Sequence, residues 1–140
     1  MCVDDRCRAQ RAVGRAPRRR THRPGIREYF ESVWGGALPP WLQLTADASP
    51  EQLAAYYTLR TDAMGEGALA KKYKEIIIVM MSCAETYTFG IDVHAKGALA
   101  CGATRAELVD AVRATVITGG IVAWVEGFGQ VEKALKEAGK

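Results

Sequence analysis

Glu75-Ile-Ile-Ile-Val-Met-Met-Ser-Cys-Ala84 is the most apolar stretch of the chain, and its reading as helix or strand decides the fold. Its β-branched density would suit a buried strand. Length favours the other choice. No Gly, Pro or Asn interrupts residues 68–89, too long a span for one ordinary strand, so a helix is expected to begin near Ala68. A helix apolar on every side must be covered on every side, which a chain this small can barely do alone. Oligomerisation is the economical expectation. Glu75 opens this run, and an ionised carboxylate in apolar surroundings is costly unless it is paired or hydrogen-bonded. With roughly 100° per residue, Val79, Ser82 and Thr86 lie within about 40° of its direction and form a faintly polar stripe. Facing His94 on the next helix, that stripe would make a small acid–base pocket. The alternative leaves Glu75 at an exposed helix end, paired with Lys71 or Lys72.

Toward the C-terminus, Gly90 is expected to interrupt, and Ile91–Cys101 to form a shorter helix closed by Gly102. Thr104-Arg-Ala-Glu107 reads as a capping box opening an amphipathic helix with Leu108, Val112, Thr115 and Val116 inward. Gly119-Gly120 marks a break or a close helix approach. Beyond it, Ile121, Trp124, Val125, Phe128, Val131 and Leu135 give the stripe of a final helix. Toward the N-terminus, Ser49-Pro50-Glu51-Gln52 reads as an N-cap, a Pro at the first helical position and a Gln completing a second capping box. Leu53, Tyr56, Tyr57 and Met64 follow at helical spacing until Gly65-Glu66-Gly67. Residues 28–48, broken by Gly35-Gly36 and Pro39-Pro40, are expected to hold a short helix and then an irregular stretch whose aromatics dock on the core. No segment reads as a strand. The expected fold is all-α, with about six helices.

The 140 residues are enough for one domain with a real core. The longest apolar run, Ile76–Met81, is far too short to cross a bilayer, so no membrane partner is expected. No apolar segment follows the N-terminus as a secretory signal would require, and the four cysteines show no disulfide framework, so a cytoplasmic setting is expected. Charge is unevenly placed. Residues 1–27 carry nine arginines against two aspartates, a net +7, whereas the rest carries ten Lys and Arg against fourteen Asp and Glu, a net −4. The first 27 residues have few large apolar side chains and no period, and are expected to be a disordered basic tail preceding one domain at 28–140. Arg18-Arg19-Arg20 could touch nucleic acid. No aromatic or motif context accompanies it, so nucleic acid is not expected as a partner.

His94 is the single histidine of the domain, which thins the list of mechanisms. There is no HExxH, no Cys/His cluster with zinc spacing and no phosphate-binding glycine pattern, so neither a metal nor a cofactor is expected. Asp92, two residues from His94, would not face it on a helix. Cys83, beside Met80, Met81 and Ala84, reads as a buried, inert thiol, with a peroxide-reducing thiol as the alternative.

Lys74-Glu75 through His94, followed by His-Ala-Lys-Gly-Ala-Leu-Ala-Cys-Gly-Ala-Thr-Arg-Ala-Glu-Leu, resembles the carboxymuconolactone decarboxylase and alkylhydroperoxidase D-like family. The resemblance spans roughly residues 38–135, and its specific part is the Glu75-to-His94 core with the Thr-x-x-Glu cap after it. It implies an all-α fold assembled as a homotrimer or homohexamer, with Glu75 and His94 as the family glutamate and histidine. The redox members carry a Cys-x-x-Cys pair where this chain has Tyr87 and Gly90. Neither residue can supply the attacking thiolate or the resolving thiol that this mechanism requires.

Three functions follow as expectations. The first is acid–base decarboxylation of a small carboxylated or lactone metabolite. In it His94 carries the proton, Glu75 orients it, Tyr87 donates to developing negative charge, and Arg60 or Arg113 holds a carboxylate. The second is thiol-dependent peroxide reduction through Cys83, with Cys101 resolving. The third is a non-catalytic oligomeric binding protein in which Glu75 and His94 merely pack.

Overall fold

Residues 25–33, 38–65 and 67–139 are described by a computed structural model. They form α1 (Ile26–Val33), α2 (Pro40–Ala48), α3 (Pro50–Ala63), α4 (Lys71–Ala84), α5 (Thr88–Ala100), α6 (Arg105–Ala114) and α7 (Val116–Glu137). No strand occurs among the described residues, as the unbroken span around Glu75 requires. The count exceeds the expected six because Pro40–Ala48, expected to be irregular, is helical. Pro39 precedes that helix in an extended conformation and Pro40 stands in its first turn, where a missing N–H costs nothing. The arginine run at 18–20 and the Gly35-Gly36 break lie outside the described residues.

Two apolar clusters organise the helices. The larger unites α4, α5, α6 and α7 around Val79, Cys83, Ile91, Leu108, Val112 and Val131. The smaller joins α1, α2 and α3 through Phe30, Leu42, Leu53 and Tyr57. Phe30 anchors it, fully buried and stacked on Tyr56 with ring centroids 5.5 Å apart. Lys74 ties the two parts together. Its Nζ donates to the carbonyls of Ala63 and Gly65, each at 2.7 Å, placing a cation at the negative end of α3.

The two capping boxes come out differently. Thr104 and Glu107 form theirs in full, and Glu107 also accepts from Lys72 Nζ at 2.8 Å, binding α6 to α4. That bond and the Thr104 contacts lower the Glu107 carboxyl to about 2. Ser49 makes no side-chain cap. It is also the C-cap of α2, where its own N–H bonds the Thr45 carbonyl, so the back-to-back helices leave it no N-cap geometry.

Helix α4 begins at Lys71 rather than near Ala68, and the next break falls before Gly90. Residues 85–87 make the turn, with Thr86 in the left-handed region at φ 54° and the Tyr87 N–H bonded to the Ser82 carbonyl at 2.8 Å. Helix α5 then starts at Thr88 and runs through Gly90. A glycine costs a helix about 1 kcal/mol, which packing against α4 outweighs. Gly102, at φ 86°, follows α5 as the expected terminating glycine. Gly120, at φ 71°, kinks α7 near its start.

The apolar stripe of α7 is corrected by the packing. Its buried residues are Ala123, Gly127, Val131, Ala134 and Leu135, whereas Ile121, Val122 and Val125 are exposed. Small residues let the helix approach α4 and α6 closely. A Cβ at Gly127 would stand 2.8 Å from both Cys83 Sγ and Val112 Cγ1. On α4, too, Ile77 and Met81 are exposed within this single chain.

Candidate functional site

Helices α4 and α5 form a hairpin about the 85–87 turn, so residues within a helical turn of equal distance from it meet across it. Glu75, in the second turn of α4, thereby comes opposite His94 in the middle of α5. The His94 Nδ1 to Glu75 Oε2 distance is 2.7 Å, with side-chain exposures of 13% and 7%. This burial decides between the two readings of Glu75: it is not at an exposed end beside Lys71 or Lys72, and Lys72 pairs with Glu107 instead. A carboxylate so enclosed needs its hydrogen bond. Either the Nδ1–H donates to an ionised Glu75, or a protonated Glu75 donates to Nδ1. In both cases Nε2 is the ring nitrogen left to exchange a proton with a ligand.

Gly97, one turn beyond His94, makes room for the pair. A Cβ there would stand 3.0 Å from the Glu75 carboxyl carbon and from one of its oxygens, so any side chain at 97 would press on the carboxylate. Ser82 and Val79 lie buried on the same face of α4, while Thr86 has left the helix for the turn and is exposed. The polar stripe is therefore shorter than the spacing implied.

The pair lines a cavity of about 920 Å³ between the two apolar clusters. This lies within the size range of small-molecule sites. On one side are Phe89, Val93, Lys96, Gly97 and Cys101 of α5 and its end; on the other are Tyr29, Ser32 and Val33 of α1 with Leu38 and Pro39. Arg60 of α3 and Lys71 of α4 complete the wall. The charged groups are mixed: Lys96 bonds Asp92 at 2.9 Å and Glu137 at 2.5 Å, which holds the end of α7 against α5. Asp92 thus serves Lys96 rather than His94.

The other residues singled out from the sequence fall apart in space. Tyr87, half exposed, is not among the cavity-lining residues and meets the lining Phe89 at a ring-centroid distance of 6.0 Å. A Cβ at Gly90 would stand 2.4 Å from the Tyr87 ring, so the two positions that hold cysteines in redox members hold a ring and the space it needs. Cys83 is fully buried in the main core, and burial pushes its thiol up to about 11. Cys101 lines the cavity, so the two thiols do not share one environment. Arg113 lies on the surface with Asp110 at 3.4 Å, whereas Arg60 lines the cavity as the carboxylate-holding role requires. Tyr29, Lys71 and Lys96 were not foreseen. Tyr29 on α1 is separated from Glu75 on α4 by two intervening helices, and no motif links the two. Among the described residues no three His, Cys, Asp or Glu side chains converge as a metal-ligand set.

Comparison with known proteins shows the family and the fold. The sequence pattern of the carboxymuconolactone decarboxylase family matches residues 50–133. A crystal structure from Burkholderia xenovorans LB400, provisionally assigned as a carboxymuconolactone decarboxylase, is similar with a TM-score of 0.73 and 28% identity, over 81% of this chain and 89% of that one. A carboxymuconolactone decarboxylase family protein from Legionella pneumophila, solved in its apo form, shares the fold with a TM-score of 0.62 at 23% identity, over 78% of this chain and 96% of that one. No curated protein matches the sequence.

Proposed function

Because the chain belongs to the carboxymuconolactone decarboxylase family, we propose that it is an acid–base enzyme that removes CO₂ from a small carboxylated or lactone metabolite. The observation that carries the reading is the 2.7 Å bond between Glu75 and His94 at the wall of a cavity of small-molecule size. In the proposed reaction the bond from carbon to the departing carboxylate breaks and CO₂ leaves. Its electron pair stays on the substrate carbon, and the proton on His94 Nε2 moves to that carbon. Solvent then restores the imidazole proton. Glu75 fixes the ring through Nδ1 and stabilises the imidazolium form. The apolar wall formed by Val93, Phe89 and Leu38 disfavours the charged carboxylate relative to neutral CO₂.

The thiol alternative is less well supported. A thiol held near 11 is almost wholly protonated at neutral pH, and the thiolate is the nucleophile. Assay of CO₂ release from a panel of small carboxylated lactones tests the proposal. Turnover of at least one member is expected; no turnover across the panel, alongside thiol-dependent hydroperoxide reduction, would overturn it.

We further propose that the chain assembles as a homotrimer or homohexamer. Ile77, Met81, Ile121, Val122 and Val125 stand exposed on α4 and α7, more large apolar side chains than a lone surface ordinarily leaves on neighbouring helices. Light scattering after gel filtration is expected to give three or six chains, and a strict monomer would contradict this.

A further inference from the structure

The cavity has a polar corner built where α1 meets α3. Tyr29 reaches it from α1 with its ring held edge-on against Phe30 and Tyr57, each at a centroid distance of 5.2 Å. Arg60, in the last turn of α3, lines the same cavity. The phenol and the guanidinium interact, and Glu75 lies within electrostatic range of the phenol. Burial keeps the phenol protonated and hence a donor, despite the Arg60 charge beside it. A guanidinium has five N–H donors in a planar fork, so it can serve several acceptors at once. Both side chains therefore bring donors to the cavity that His94 also lines.

We propose that Tyr29 and Arg60 form a carboxylate-binding corner that seats an anionic ligand with its body directed toward His94. The assignment rests on the acid–base reading for what happens at His94, but the binding itself does not need turnover. It gives α1 and α3 a purpose in the site: the smaller apolar cluster is the scaffold that holds the corner at a fixed distance from the Glu75–His94 pair. It also makes Tyr29 and Arg60 specificity-determining residues, since a neutral ligand of the same shape would leave their donors facing an uncharged group.

The test uses two probes of nearly equal shape and different charge, benzoate and benzamide, titrated calorimetrically into the full-length protein. Benzoate is expected to bind in the millimolar range or tighter, and at least about tenfold more tightly than benzamide, as charge-assisted hydrogen bonds require. Arg60→Gln is expected to abolish that preference, and Tyr29→Phe to reduce it about three- to tenfold without changing benzamide binding. Equal affinity of the wild-type protein for the two probes, or no saturable benzoate binding, would overturn the proposal without reliance on any variant folding. Undiminished benzoate preference in both variants would overturn it as well. The two readings fail separately. A normal benzoate preference with no CO₂ release from any lactone rejects the decarboxylase reading alone, whereas turnover with no charge preference rejects the corner alone.

Discussion

Replacing His94 by alanine is expected to lower CO₂ release by about 10²- to 10⁴-fold, the range that a positioned general acid contributes. The reason lies in the geometry of the ring. Its Nδ1 is committed to Glu75 at 2.7 Å, so loss of the imidazole removes the Nε2 proton that the reaction uses. Loss of the ring also leaves Glu75 buried beside an empty space. A cost of about 1–3 kcal/mol is expected for the unsatisfied carboxyl. Circular dichroism should therefore show an intact helical spectrum with a modestly lower melting temperature. Glu75→Gln is the informative companion. It keeps a hydrogen-bonding side chain at the same place and removes the charge that stabilises the imidazolium, so its activity should fall between those of wild type and His94→Ala. Full turnover in folded His94→Ala would show that the proton comes from elsewhere.

The largest effect on stability is expected at Phe30. Its ring is fully buried, stacked on Tyr56 and edge-on to Tyr29, and it is the largest fully buried side chain of the smaller cluster. Phe30→Ala should cost about 3–5 kcal/mol in equilibrium denaturation, from lost apolar burial and the cavity left behind. The consequence for the site is specific. Tyr29 is the preceding residue on α1, so loosening the helix removes a wall of the cavity while α4 and α5, in the other cluster, keep Glu75 and His94 together. Substrate affinity should therefore fall more than the rate of the bound complex. A loss below about 1 kcal/mol would show that the ring does not anchor α1.

Much of this was legible in the sequence, for identifiable reasons. Residues 75 and 94 meet because the turn between them lies near their midpoint, and the unbroken span before Gly90 already required a helix on the near side. The Thr104–Glu107 capping box formed as written because nothing else claims its groups except Lys72, which reinforces it. The Ser49 box did not form because the preceding helix uses the same residue, and a local motif cannot register its neighbour. On α7 both faces are apolar, so periodicity alone could not say which would turn inward. Close approach to Cys83 and Val112 selected the small residues, leaving Ile121 and Val125 outside. Tyr29 was invisible to any motif, because its relation to Glu75 exists only after two separate apolar clusters have packed with a cavity between them. Residue type alone offers Arg60 and Arg113 equally as carboxylate holders, and of the two the fold puts Arg60 at the cavity.

The central claim is that the Glu75–His94 pair delivers a proton to carbon from one side of the cavity. Decarboxylation run in D₂O tests it most directly, with the configuration of the labelled carbon read by NMR. A single deuterium in one stereochemical configuration is the result the account predicts, since the proton donor is fixed on α5. Deuterium distributed equally between the two faces of that carbon would contradict it, because the proton would then have come from free solvent.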